Sequence, residues 1–212
     1  GKYEEAWEAC EKLAAFGEEI PTTVCEIPLQ AVTGSVSEAS LSLTRLLPKL
    51  RQQFPGVLPW AHAMQSKLAY AQGKVAETER YFQEALANDP QDKYIIRDYA
   101  DFLLDQERDE EALRVVVDHI NDNGVLLRGA IAAKRVGEMK FAQQWATQLA
   151  TRFEEIRLRG GQPHGRFESR FELEVNGNAK QALPLALANW EQHRETRDAR
   201  NVLEPAIGAK DW

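Results

Sequence analysis

The chain has 212 residues, 43% of them hydrophobic and 28% charged, an ordinary globular composition at a length that buries a substantial apolar interior, so disorder is excluded. The formal net charge of −7 and the lack of any extended basic run exclude binding driven by phosphate neutralisation, and no nucleic-acid partner is expected. The longest uncharged stretches, such as Gln52 to Ser66, are short and interrupted by Pro55 and Pro59, which excludes a membrane span.

In chain order, the first predicted helix covers residues 1–17 and opens on the phrase GKYEEA. The phrase returns in altered form as GSVSEA at Gly34, GKVAET at Gly73, GEMKFA at Gly137 and GNAKQA at Gly177. A chain that begins in mid-phrase reads as an excerpt of something longer, and no secretory signal is visible in it. Helix pairs are predicted over about 20–54, 57–89, 92–121, 124–158 and 162–193, and an unpaired last helix over 197–208. Asn88-Asp89-Pro90 stops the helix that carries Tyr81 to Ala87, because proline cannot continue the hydrogen-bond ladder. Val115-Val116-Val117 is a run of three valines, and its helical spacing between Ala112 and Ile120 overrides its strand preference. Both end helices lack a partner helix, so Trp212, Val202 and Leu203 are expected at exposed apolar ends.

The last residues of the phrases, with Ala112 added, are Ala6, Ala39, Thr78, Ala112, Ala142 and Ala182, separated by 33, 39, 34, 30 and 40 residues. Spacing scattered about 34 is the mark of stacked two-helix repeats. Glycine stands five residues before each anchor except at Glu107, as a short interhelical turn with positive φ requires. One helical turn past the anchors come Cys10, Leu43, Phe82, Val116, Ala146 and Ala186, so anchor and follower share a buried stripe. The expectation is an all-α fold of about 12 helices in a single domain over 1–212.

The phrase ALANDP at Ala85–Pro90, with Gly73 before it and YADFLLDQERDEEAL after it, resembles the tetratricopeptide repeat (TPR) family. The combination of YADFLLDQ, LRGGQPHGRFESRFEL and ALANWEQHRETRDAR further resembles uncharacterised exported bacterial TPR proteins. The resemblance implies an α-solenoid, a right-handed superhelix of antiparallel helix pairs, and a noncatalytic scaffold that binds a peptide or protein segment in its concave groove. It implies an exported, periplasmic setting, with the cytoplasm as the open alternative. The two longest spacings depart from the family value and imply longer turns near Phe54–Pro59 and Gly160–Pro163.

In the TPR arrangement the first helix of each pair faces the groove. Transferred to this chain, that rule selects Trp60, Met64, Lys67 and Tyr70, then Tyr94, Arg97, Asp98 and Asp101, then Leu127, Arg128, Ile131 and Lys134. Of these, Trp60, Lys67, Tyr70, Tyr94, Arg97, Asp101, Arg128 and Lys134 are the expected partner-binding residues, arginine and tyrosine being frequent interface anchors. Individually, Trp60 and Tyr70 are equally readable as core residues and Arg97 as the ion-pair partner of Asp101. The family's carboxylate clamp of lysine and asparagine is absent, since Ala63 and Lys67 occupy its first pair. A second reading of the whole chain is a self-associating module that forms a homodimer or longer array through its end helices.

Arg157, Arg159 and Arg166 cluster about a glycine-rich turn, where guanidinium forks and free helix N–H groups suit a carboxylate or phosphate. The alternative is a solvated connector beside Glu154, Glu155 and Glu168, favoured by the absence of phosphate-loop spacing. Cys10 and Cys25 fall on consecutive antiparallel helices and are either a disulfide, which suits the export implied by the resemblance, or two buried thiols. His62, His119, His164 and His193 lie in separate repeats with no metal-ligand spacing, so neither metal nor cofactor is expected. Glu4-Glu5, Glu110-Glu111 and Glu154-Glu155 are adjacent on helices and diverge by about 100°, which does not make an acid–base pair, and no enzyme activity is expected.

Overall fold

The structure is a computed structural model and describes residues 2–210; Trp212 lies outside the described residues. Among the described residues twelve helices follow one another: α1 (Tyr3–Ala15), α2 (Glu19–Val32), α3 (Val36–Gln53), α4 (Leu58–Ala71), α5 (Val75–Asn88), α6 (Lys93–Asp105), α7 (Asp109–Val116), α8 (Asn123–Val136), α9 (Met139–Leu158), α10 (Gly165–Arg170), α11 (Ala179–Gln192) and α12 (Thr196–Ala209). Among the described residues there is no strand. A 3-10 turn at Pro55–Val57 fills the longer connection before α4, and another at Val117–His119 continues α7 through the end of the valine run. A π-turn at Phe171–Val175 extends α10.

The recurring glycine phrase is a helix-stop device. At Ser35, Lys74, Arg108 and Glu138 the backbone N–H donates to the carbonyl five residues back, at Gln30, Ala69, Leu103 and Ala133. That bond closes the end of a helix around one left-handed residue. Glycine supplies this residue at three of the four turns, and Glu107 supplies it at the fourth with φ of 58°, a conformation that costs an L-residue about 1 kcal/mol.

The anchor stripe forms the helix crossings. Ala39, Ala112 and Ala182 are fully buried, as are their followers Leu43, Val116 and Ala186, whereas Ala6 and Ala146 are half-buried. The chain divides into two compact units, Lys2–Ile95 and a second beginning at Ile96. The N-terminal unit has a core of Ile27, Leu43, Leu46, Leu50, Met64 and Leu68, with Trp60 and Leu58 packed on its margin. There the α1–α2 pair is joined by a disulfide between Cys10 and Cys25, whose Cα atoms stand 5.6 Å apart. The C-terminal unit buries Leu126, Leu127, Ile131 and Leu149, and Phe153 meets Phe171 edge-on at 5.8 Å.

Two expectations follow. Glu107→Gly removes a left-handed L-residue and raises stability by up to about 1 kcal/mol, read as an increase in the thermal midpoint. Thiol titration of the unfolded, unreduced protein finds no free thiol, and reduction lowers stability by about 3 kcal/mol for a loop of this size.

Candidate interaction site

In the N-terminal unit the inner helix α4 presents Trp60, Met64, Lys67 and Tyr70 at three-to-four spacing, one stripe of the helix. The stripe is graded in exposure. Met64 is buried and Trp60 leans on the core, while Lys67 is exposed and Tyr70 is 43% exposed. Tyr94, in the first turn of α6, is 65% exposed, with the Lys93 ammonium 5.5 Å from its ring centre. Of the expected partner-binding residues in this unit, Lys67, Tyr70 and Tyr94 stand at the surface, and Trp60 is in part a core residue.

The C-terminal unit treats the same positions differently. Arg128 is only 4% exposed. Its Nε and Nη2 donate to the two oxygens of Asp101 at 3.0 and 2.6 Å, and its Nη1 donates to the Gly124 carbonyl at 2.9 Å. Arg170 of α10 adds a third bond to Asp101 at 2.7 Å and donates through Nε to Glu174 at 2.6 Å. Lys134 donates to the carbonyls of Glu174 and Val175 at 3.0 and 2.7 Å, closing the end of the π-turn, where a cation meets the negative end of a helix dipole. Asp101, Arg128 and Lys134, expected to face a partner, are thus each engaged by groups of their own unit.

Arg97 is engaged as well. It pairs with Asp122 at 3.5 Å rather than with Asp101, its side chain is 14% exposed, and its guanidinium lies 5.9 Å from the Phe167 ring centre. Asp122 is the N-cap of α8 and accepts from the Val125 N–H at 3.0 Å. A methyl group on Gly124 would overlap Arg97 and Phe167, so only glycine lets these side chains approach the helix.

The three arginines at the glycine-rich connector do not converge on an empty anion cradle. Arg157 pairs with Glu168 and Glu154. Arg166 donates to Asp198, at 2.7 Å through Nε, and Asp198 is fully buried and also receives the Asn189 amide at 2.8 Å. Arg159 is exposed just beyond α9. The buried carboxylates Glu168 and Asp198 engage Arg157 and Arg166.

Sequence reasoning missed Phe167, which the Arg128 guanidinium covers at 5.3 Å and the His164 ring stacks on at 4.6 Å, with His193 6.0 Å from His164. Nothing in the spacing of FES signals a hub. It also missed a hollow of about 440 Å³ in the N-terminal unit, where buried His62 meets Gln65 at 3.0 Å and Glu84 at 3.3 Å beside Arg80 and Arg51. Among the described residues, no three histidine, cysteine or acidic side chains stand together as metal ligands, and no helix is long and apolar enough to cross a membrane.

Residues 69–124 match the tetratricopeptide repeat family. Among solved structures, the chain resembles that of PilF from Pseudomonas aeruginosa, with 16% identity over 100% of this chain and 87% of that one and a TM-score of 0.54. PilF is a TPR solenoid, and a likeness at this identity shows the fold. Comparison with curated proteins gives no match.

Burial by itself would raise the Asp101 and Glu174 carboxyls, but Arg170, with Arg128 at Asp101 and Arg135 at Glu174, holds both below their ordinary values of 3.8 and 4.5. Burial lowers His164 from 6.5, aided by Arg166, His193 and Arg97 and opposed by Asp198. For His164 the unfolded chain takes up a proton that the folded chain resists, so stability falls as pH drops below 6.5. For the two carboxylates the stabilisation is complete above their unfolded values and is lost as pH falls through the lower folded ones. Thermal midpoints measured from pH 7.5 to 1.5 therefore decline in two stages; His164→Asn flattens the first, and Asp101→Asn shrinks the second at a cost of about 3 kcal/mol at neutral pH.

Proposed function

We propose that this chain is a noncatalytic interaction scaffold that holds a peptide or protein segment against the inner helices of its repeats, with Lys67, Tyr70 and Tyr94 of the N-terminal unit as the main contacts. TPR repeats support a protein-interaction role in general terms. The observation that carries the finer reading is the exposure of two tyrosines, at 43% and 65%, on the inner helices α4 and α6. Tyrosine brings a large rigid contact area and a directional hydroxyl at low entropic cost, which makes it a frequent interface anchor. A wide face of this kind, with a cation at Lys67, suits an extended or helical segment that carries apolar and acidic side chains.

A second reading has its own observation. On α12, Leu203 and Ile207 are 60% and 65% exposed at i, i+4 spacing, an apolar stripe suited to self-association through the end helix. Val202, grouped with Leu203 in the sequence, is half-buried instead.

Tyr70→Ala/Tyr94→Ala weakens a captured partner by at least tenfold, measured by calorimetry against wild type, while the thermal midpoint stays within the range of a surface change. Undiminished binding would remove the aromatic face from the model of recognition. If the only partner recovered is the chain itself, and Leu203→Lys/Ile207→Lys abolishes it in light scattering, the self-association reading replaces the first.

A further inference from the structure

α6 carries Asp98, Asp101 and Asp105 at i, i+3 and i+7, one stripe of the helix. Each carboxylate of this stripe is met by an arginine from a distant part of the same unit. Arg197 of α12 donates to Asp98, Arg200 of α12 donates to Asp105 at 2.6 Å, and Arg170 of α10 donates to Asp101 at 2.7 Å. The two α12 arginines are one turn apart and reach carboxylates two turns apart on α6, so α12 runs along α6 in the same sense. The inner face of α6 in this unit is thus occupied by the chain's own last described helix.

The seating is of two kinds. On its α11 side, α12 is held by a buried set: Asp198 with Asn189 and Arg166, Pro205 buried, and Gly208 against Ala179. On its α6 side, the ion pairs are made by arginine side chains that remain 44% and 56% exposed. The carboxylates of Asp98 and Asp105 are 11% and 21% exposed, so it is the arginine ends of these pairs that water and salt reach and screen.

We propose that α12 is a self-occupying strap: Arg197 and Arg200 fill the acidic face of α6 in place of an arginine-bearing segment of another protein, and the strap opens when those pairs are displaced. Two things support it: every carboxylate of the α6 stripe is met by an arginine from another element of the unit, and the attachment to α6 is made by two arginines whose side chains remain partly in solvent. Arg200 is pre-aimed by Glu204 on its own helix at 2.6 Å, so the open strap keeps an internal partner for that charge. The proposal concerns the C-terminal unit and is independent of the Tyr70–Tyr94 face, so the two fail separately.

Hydrogen exchange of the intact chain tests it. In wild type, the α12 amides exchange severalfold faster in 0.5 M than in 0.02 M sodium chloride, while those of α8 do not change. In Asp98→Asn/Asp105→Asn the α12 amides are fast at both salt concentrations, and the α4 and α5 amides are unaffected. At low salt an alanine-based helical peptide with arginines at i and i+3 accelerates α12 exchange in wild type, and the same peptide with glutamines in their place does not. Circular dichroism confirms that the double variant remains folded. If α12 exchanges at one rate across salt and in the double variant, or if the arginine and glutamine peptides act alike, the strap is overturned.

Discussion

A guanidinium removed from water must find a carboxylate, and in the C-terminal unit that requirement sets the geometry. Arg128 sits in α8 with almost no exposure, and burial alone disfavours its charge. The bidentate fork with Asp101 offsets part of that cost and fixes α8 against α6. Asp101 then has capacity for Arg170, whose other arm takes Glu174, and Glu174 in turn accepts from Arg135 at 3.1 Å. Helices α6, α8 and α10 are thereby held in one register by charges that tolerate no single deletion, since removal of one partner leaves another buried and uncompensated.

The N-terminal unit reaches order by another route. Its inner helix meets an apolar cluster of aliphatic side chains from α2, α3 and α4, and its first helix pair carries a covalent link. Lys49 pairs with Glu19 and Arg80 with Glu84 at its surface. Apolar burial is non-directional and leaves the opposite stripe of a helix undemanding. Lys67 and Tyr70 therefore remain outward, where the C-terminal unit uses polar groups inward.

Much of the architecture was legible in the sequence because it is written in local chemistry. Glycine at Gly34, Gly73 and Gly137 marks the left-handed stop of a helix, and alanine one turn into the next helix marks a close crossing, so the repeat announced helices, turns and stripe together. The Glu107 exception was visible too, and its backbone adopts the same left-handed form. The site was less legible. Asp98, Asp101 and Asp105 stand at helical spacing, as do Arg197 and Arg200, but the pairing of carboxylates with arginines nearly one hundred residues away is a tertiary fact without a local trace. For Arg97, whose alternative reading was an ion pair with its i+4 neighbour Asp101, the carboxylate found is the helix cap Asp122, while Arg128 and Arg170 engage Asp101.

Equivalent positions of the repeat show why a face is not a site by position alone. Eighteen residues before the anchor stand Trp60, Tyr94 and Gly124. Trp60 leans into a core, Tyr94 stands in solvent, and Gly124 gives up its side chain so that Arg97 and Phe167 can close on the helix backbone. Eight residues before the anchor, Tyr70 is exposed, while Lys134 caps the carbonyls of a π-turn. What decides the outcome is whether the neighbouring segment brings unsatisfied groups of its own. The Phe171–Val175 turn brings free carbonyls and α10 brings Arg170, so the inner helices of the C-terminal unit are consumed in satisfying them. Lys67 and Tyr70 by contrast keep exposed side chains, and that exposure is the physical reason for placing recognition there.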